Sequence, residues 1–214
     1  MPKIIGVLGS PLPQGNTALL LDKALEGAKA AGCDVELISV ISMDIQSCQE
    51  IYHCKDHDTC IFNDDMSQIY PKFAALDGLI LATPVMTMGI PGHLKSFIDR
   101  FQVFYMAKYF RNEPLVSADL KERRKSLFIS IAGTDIPGVF NGTKQTTKAF
   151  FDIIDCPYYD ELLISGMDRI KDITARPDLL NDAYKKGFAL GALLAVTGNP
   201  IDDAKVNPSV AARH

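Results

Sequence analysis

The chain has 214 residues, 47% of them hydrophobic and 22% charged, enough to bury one core of ordinary domain size. Lys+Arg 22 against Asp+Glu 26 gives a net charge of −4, and with an isoelectric point near 5.5 nothing favours nucleic acid or an anionic membrane as a partner. No apolar run reaches the roughly 18 residues of a membrane span. The chain opens MPKIIGVLGS, without the apolar stretch and small-residue cleavage site of a secretory signal. Five cysteines, an odd number, suit a reducing compartment, so a cytoplasmic protein is expected.

In chain order, strands and helices alternate. Lys3 to Leu8 is a short Ile/Val-rich run and predicts a buried strand, followed by turn residues at 9–16. From Thr17 to about Ala31 the apolar residues Leu20, Leu21, Ala24, Leu25 and Ala28 recur at helical spacing. Val35 to Ile41 predicts a second strand, and 42–63 an irregular segment holding Cys48, Cys54 and Cys60. A helix is expected from the Asp64-Asp65 pair, which suits the positive end of a helix dipole, to about Leu76. Gly78 to Ala82 is apolar throughout, as in a strand covered on both faces of a parallel sheet. A loop at 83–92 leads to a helix from His93 to about Phe104. Lys125 to Ala132 predicts a fourth strand, 133–142 a loop, 144–154 a helix, Tyr158 to Ile164 a fifth strand and Leu179 to Val196 a closing helix. Residues 1–196 are expected to form one domain and 197–214 a poorly ordered tail.

This alternation predicts a doubly wound α/β sheet of five parallel strands with helices on both faces. Ligands of such sheets sit beyond the carboxyl ends of the strands, which singles out the loops after the first, third and fourth strands. The first, GSPLPQGNT (9–17), joins hydroxyls and an amide to a run of backbone N–H groups at a helix start, an arrangement suited to an anion. It is neither a P-loop nor a GxGxxG turn and carries no Lys or Arg. Neutral donors of this kind suit the phosphate of a flavin mononucleotide; a loop that merely caps its helix is the alternative.

Three segments together carry a resemblance: GSPLPQGNT, CIFNDDM (60–66) and LDGLILATPVMTMGIPGHLKSFIDRF (76–101). They resemble the NADPH-dependent FMN reductase and iron–sulfur flavoprotein group of the flavodoxin-like superfamily, over roughly residues 3–135. The resemblance implies a flavodoxin-like fold, bound FMN, and NAD(P)H as co-substrate. It places the phosphate at Ser10, Gly15, Asn16 and Thr17. It lays the isoalloxazine ring along Thr83, Pro84, Val85, Met86, Thr87 and Met88, with Ala132, Gly133 and Thr134 on its other side. Position 12, often Arg in the group, is Leu12, and the ring loop lacks the two usual aromatics; weaker FMN binding is expected.

Iron–sulfur members carry four cysteines before Asp-Asp-Met. Aligned from Asp64-Asp65-Met66, those positions fall on Cys48, Ile51, Cys54 and Cys60. Ile51 cannot ligate iron, so no intact cluster is expected, although His53 and His57 offer nitrogen ligands nearby. Cys33 and Cys156 read as core cysteines, and Asp99 with Arg100 as a structural pair at a helix end.

The implied activity is an NAD(P)H:acceptor oxidoreductase passing reducing equivalents through FMN to a flavin, quinone or similar small acceptor, with no side-chain acid or base assigned. An electron carrier using the same FMN, or a binding module that has lost it, remains open. The resemblance further implies a homodimer or dimer of dimers. FQVFYMAKYFRNEPL (101–115) holds five aromatics, and an exposed patch there would put Phe104, Tyr105 and Tyr109 near the contact and the flavin edge.

Overall fold

The computed structural model describes residues 1–197; the expected tail lies outside the described residues. Five strands, β1 (Lys3–Leu8), β2 (Asp34–Ser39), β3 (Gly78–Pro84), β4 (Lys125–Ile131) and β5 (Tyr158–Ile164), form one sheet in the order β2-β1-β3-β4-β5. Every pairing is parallel. This is the flavodoxin-like order, whose switch point lies between β1 and β3.

Helices α1 (Asn16–Ala30) and α8 (Pro177–Thr197) cover one face. The opposite face carries α2 (Met66–Ala75), α3 (Gly92–Asp99), α4 (Gln102–Tyr109), α5 (Ala118–Arg123) and α6 (Asn141–Ile153). A one-turn helix, α7 (Met167–Ile170), follows β5. The strands of a sheet covered on both sides must be apolar in both directions. β3 and β4 obey: each is buried along its whole length save one terminal residue, Pro84 and Lys125.

The 93–104 helix of the sequence reading is instead two helices, broken at Arg100–Phe101. The break follows from Arg100, whose buried guanidinium turns away to Asp64 and to the carbonyl of Gln46 while Tyr70 donates to its own carbonyl. The expected Asp99–Arg100 pair is therefore absent: Asp99 pairs with Lys95, 2.7 Å away. The aromatic segment 101–115 is also corrected. Phe101 and Phe104 are fully buried and pack against Tyr70, Phe73 and Phe150, and Tyr105 packs partly buried on the same core. Of its five aromatics only Tyr109 and Phe110 are exposed. Most of the segment thus joins the core on this face of the sheet, with Val103, Phe104 and Met106 of α4 in the same cluster as Phe73, Phe97 and Phe150.

α1 and α8 cross at close quarters. A Cβ on Gly187 would overlap the backbone of Ala24, and one on Gly27 would stand 2.8 Å from the backbone nitrogen of Phe188. Neither glycine has a left-handed φ, so here glycine serves close approach rather than an unusual backbone. Gly187→Ala is expected to cost about 1–3 kcal/mol as overpacking, read as a lower urea midpoint with an unchanged m-value.

Candidate functional site

Loops from the carboxyl ends of β1, β3 and β4 meet on one edge of the sheet. The first begins where the Gly9 N–H donates to the Ala82 carbonyl, pinning its start to β3. The Gly15 N–H bonds the Leu12 carbonyl, closing a tight turn into α1. Ser10 is almost fully buried, and its hydroxyl oxygen accepts from the Leu12 N–H, which leaves its O–H proton to donate elsewhere. Thr17, also buried, stands in the first turn of α1, where backbone N–H groups lack helical acceptors. No acidic residue lies in that turn, so the positive end of the helix dipole is unopposed by the helix's own side chains.

Asn16 does something other than the sequence suggested. Its amide donates to the Lys171 carbonyl (2.7 Å), and its oxygen accepts from the Ile173 N–H (3.0 Å). The side chain thus ties the loop after β1 to the segment after α7 and is not free to hold an anion; its backbone N–H remains at the helix start.

The second loop leaves β3 through Thr83 and Pro84. Thr83 is fully buried, with its carbonyl accepting from Ser130, and it shapes the floor rather than the surface. The Val85 N–H donates to Ile131. Met86 and Gly89 then exchange both backbone hydrogen bonds at 2.9 Å across Thr87 and Met88. Those two residues have φ of 49° and 62°, a mirror-image hairpin turn normally made with glycine or asparagine. A β-branched threonine at positive φ is a strained residue. The start of α6 presses on this turn, since a Cβ on Gly142 would stand 3.3 Å from the Met88 carbonyl carbon.

The third loop is held from behind. The N–H groups of Gly166, Met167 and Asp168 donate to the carbonyls of Thr134, Ala132 and Gly133. All three carbonyls of 132–134 therefore face α7. The N–H groups of Gly133 and Thr134 find no acceptor among the described residues and stay available to a ligand.

Val85, Thr87, Met88, Ala132, Gly133 and Thr134 line one open cleft of about 360 Å³ with Ile136, Val139 and Asp168. Thr83, Pro84 and the exposed Met86 do not line it, and neither do Ser10, Gly15, Asn16 or Thr17 of the first loop. Ile136, Val139 and Asp168 were missed by the sequence reading. The carboxyl end of β5 was a strand end like the others, and inspecting it would have found Asp168.

A sequence model of the NADPH-dependent FMN reductase family matches residues 2–159. The chain belongs to that family. An iron–sulfur flavoprotein of Methanocaldococcus jannaschii is 35% identical over 111 residues, 52% of this chain and 58% of that protein. One of Methanosarcina thermophila is 36% identical over 118 residues, 55% of this chain and 61% of that protein. The chain thus spans a little over half the length of these relatives. Among solved structures, an NAD(P)H:quinone oxidoreductase from Methanothermobacter marburgensis superposes with a TM-score of 0.65 at 18% identity, over 89% of this chain and 98% of that one. The last likeness shows the shared fold.

In this FMN reductase family member the cysteine segment packs on the α3–α4 side of the sheet. It is braced by two arginines. Arg100 grips Asp64 and Gln46, and Arg111 donates to the carbonyls of Cys54 and His57 and to the Asp58 carboxylate. Cys54 is buried, and burial, with Cys60 nearby, pushes its thiol up from the ordinary value. His53 and His57 stack at 3.9 Å. Among the described residues no three His, Cys, Asp or Glu are grouped so as to hold a metal ion.

Asp64 and Arg100 are 3% and 1% exposed. Burial alone would raise the Asp64 carboxyl, but the Arg100 hydrogen bond and the Gln46 and Met66 N–H groups bring it below its usual value. Its contribution to stability is therefore complete above the ordinary carboxylate value of about 3.9 and is lost as the pH falls through the lowered one. Asp64→Asn leaves Arg100 charged and buried; the expected loss is about 3–5 kcal/mol, measured by urea unfolding at pH 7, with a smaller difference from the parent near pH 2.

Proposed function

We propose that this chain is an FMN-dependent NAD(P)H:acceptor oxidoreductase, acting on a flavin, quinone or similar small acceptor, and that residues 1–196 work as one domain. One observation carries the reading. Gly133 and Thr134, whose N–H groups are unspent among the described residues, line a cleft with the apolar side chains of Val85, Met88, Ile136 and Val139, and the β1 loop leaves a neighbouring strand at the same end of the sheet. Neutral donors and a helix start suit the monoanionic or dianionic phosphate of a mononucleotide. The residues present therefore fit FMN.

When bound, FMN accepts a hydride and passes it on; that chemistry is the cofactor's. The protein's own part is geometric and electrostatic. Ser10, Thr17 and the backbone N–H groups of the first loop would hold the phosphate, with Gly15 keeping the turn tight and Asn16 fastening it to 171–173. The Thr87–Met88 turn and Val85 would form one wall for the ring. Met86 and Met88, both exposed, offer soft apolar surface where a second planar molecule can lie. The Gly133 and Thr134 N–H groups would meet the ring edge where reduction adds charge.

Ser10→Ala and Thr17→Ala are each expected to weaken FMN about tenfold or more, since a hydrogen bond to a charged group is worth about 1.5–3 kcal/mol; flavin fluorescence titration reads the change. Reconstituted protein should oxidise NADH or NADPH with ferricyanide or a quinone as acceptor. Bound FMN without turnover would instead make the chain a carrier, and no flavin after reconstitution a binding module.

The relatives named as iron–sulfur flavoproteins raise the question of a cluster. The residues here do not fit one: Ile51 stands exposed in place of the second cysteine, and Cys54 is held as a buried thiol. Protein prepared without oxygen is expected to contain far less than four iron and four sulfide per chain. Stoichiometric iron and sulfide would reverse this reading.

Assembly as a homodimer or dimer of dimers belongs to the same proposal. It rests on the resemblance, because of the aromatic residues meant to mark the contact Phe104 is core and Tyr105 partly buried, leaving Tyr109 with its neighbour Phe110 exposed. A cytoplasmic location is part of the proposal too; among the described residues no helix is long and apolar enough to cross a membrane.

A further inference from the structure

The cleft contains a carboxylate that the proposed function has not used. Asp168 opens the first turn of α7, and its place is set by backbone contacts on both sides. Its own N–H donates to the Gly133 carbonyl (3.0 Å), and its neighbour Met167 donates to Ala132 (3.0 Å). Its side chain then folds over Gly133. A Cβ added at position 133 would stand 2.8 Å from Asp168 Oδ2, well inside van der Waals contact. Gly133 does not have a left-handed φ, so the backbone does not demand glycine there. What demands it is the carboxylate lying against its α-carbon.

This carboxylate has no hydrogen-bond or ion-pair partner among the described residues. The adjacent cation, Arg169, is taken by Asp135, 3.0 Å away, whose carboxyl is lowered by Ser165 and Arg169. Asp168 therefore brings an unneutralised negative charge to the same cleft wall as the Gly133 and Thr134 N–H groups.

Resting on the proposed FMN site, we infer that Asp168 tunes the bound flavin, disfavouring its reduced form through the negative charge held against Gly133. Reduction by two electrons adds charge to the ring edge. A fixed negative charge beside that edge raises the energy of the reduced state relative to the oxidised one. The backbone donors of 133 and 134 act in the opposite sense, so the loop carries both an attraction and a brake. By linkage, the same carboxylate weakens the binding of reduced FMN relative to oxidised FMN by the factor it imposes on the redox equilibrium. The consequence is a flavin that gives up its electrons readily to small acceptors.

The test is a reductive titration of FMN-loaded protein with dithionite and a reference dye. Asp168→Asn keeps the shape and removes the charge. It is expected to raise the ratio of reduced to oxidised flavin at a fixed potential at least tenfold, about 30 mV for a two-electron couple. Asp168→Glu, which keeps the charge, should return most of the parent value. The Asp/Asn difference should shrink between 20 mM and 1 M salt, as expected for an exposed charge. An unchanged midpoint in Asp168→Asn, with Ser10→Ala and Thr17→Ala still weakening FMN, would overturn the role of Asp168 alone. If Ser10→Ala, Thr17→Ala and Gly133→Ala all leave FMN affinity unchanged, the flavin lies elsewhere, and the site and this inference fall together.

Discussion

The constraint behind everything else is that a parallel sheet covered on both faces leaves its backbone ends nowhere to go but its edges. β3 and β4 are buried almost end to end, so they carry no chemistry along their length. Their polar groups, their strained turn and their uncovered N–H donors accumulate where the chain leaves the sheet. With the order β2-β1-β3-β4-β5, the loops of three neighbouring strands are brought to one side. The cleft is a product of topology first and of side chains second.

Support for that edge comes from elements remote in sequence. The segment 166–173 reaches both other parts of the site: it takes the carbonyls of 132–134 and it is gripped by Asn16. One short stretch after β5 therefore sets the orientation of the 132–134 loop and the seat of the loop after β1 together. On the other flank, the Arg100–Asp64 pair does comparable work for the cysteine segment. A buried ion pair contributes little net stability over an apolar replacement, but it specifies one arrangement, because neither charge has another place to go.

Much of the fold was legible. The five strands lie close to where the runs put them, β1 and β5 with the same bounds; the inner strands β1, β3 and β4 are legible because a buried strand has an unmistakable composition. The division of 93–104 into α3 and α4 was not legible, because helical spacing of apolar residues continues through the break. What breaks the helix is Arg100 turning to a carboxylate 36 residues earlier. The aromatic run 101–115 misled for a related reason: composition shows that side chains are apolar and does not show which surface they cover.

By itself the sequence determined the fold class, the three loops that leave neighbouring strand ends, the absence of Lys and Arg from the first of them and the gap at Ile51. These are local properties: periodicity, glycine and proline placement, and the presence or absence of a thiol at one position. Only the tertiary structure decided that Asn16 is a tether, that Phe101 and Phe104 are core, that Thr87 and Met88 form a strained turn, and that Asp168 lies on Gly133. Asn16 and Asp168 are placed by groups more than thirty residues away and Phe101 and Phe104 by rings from other helices. The Thr87–Met88 turn is local but needs two positive φ angles that neither residue type announces; none of these is a pattern along the chain.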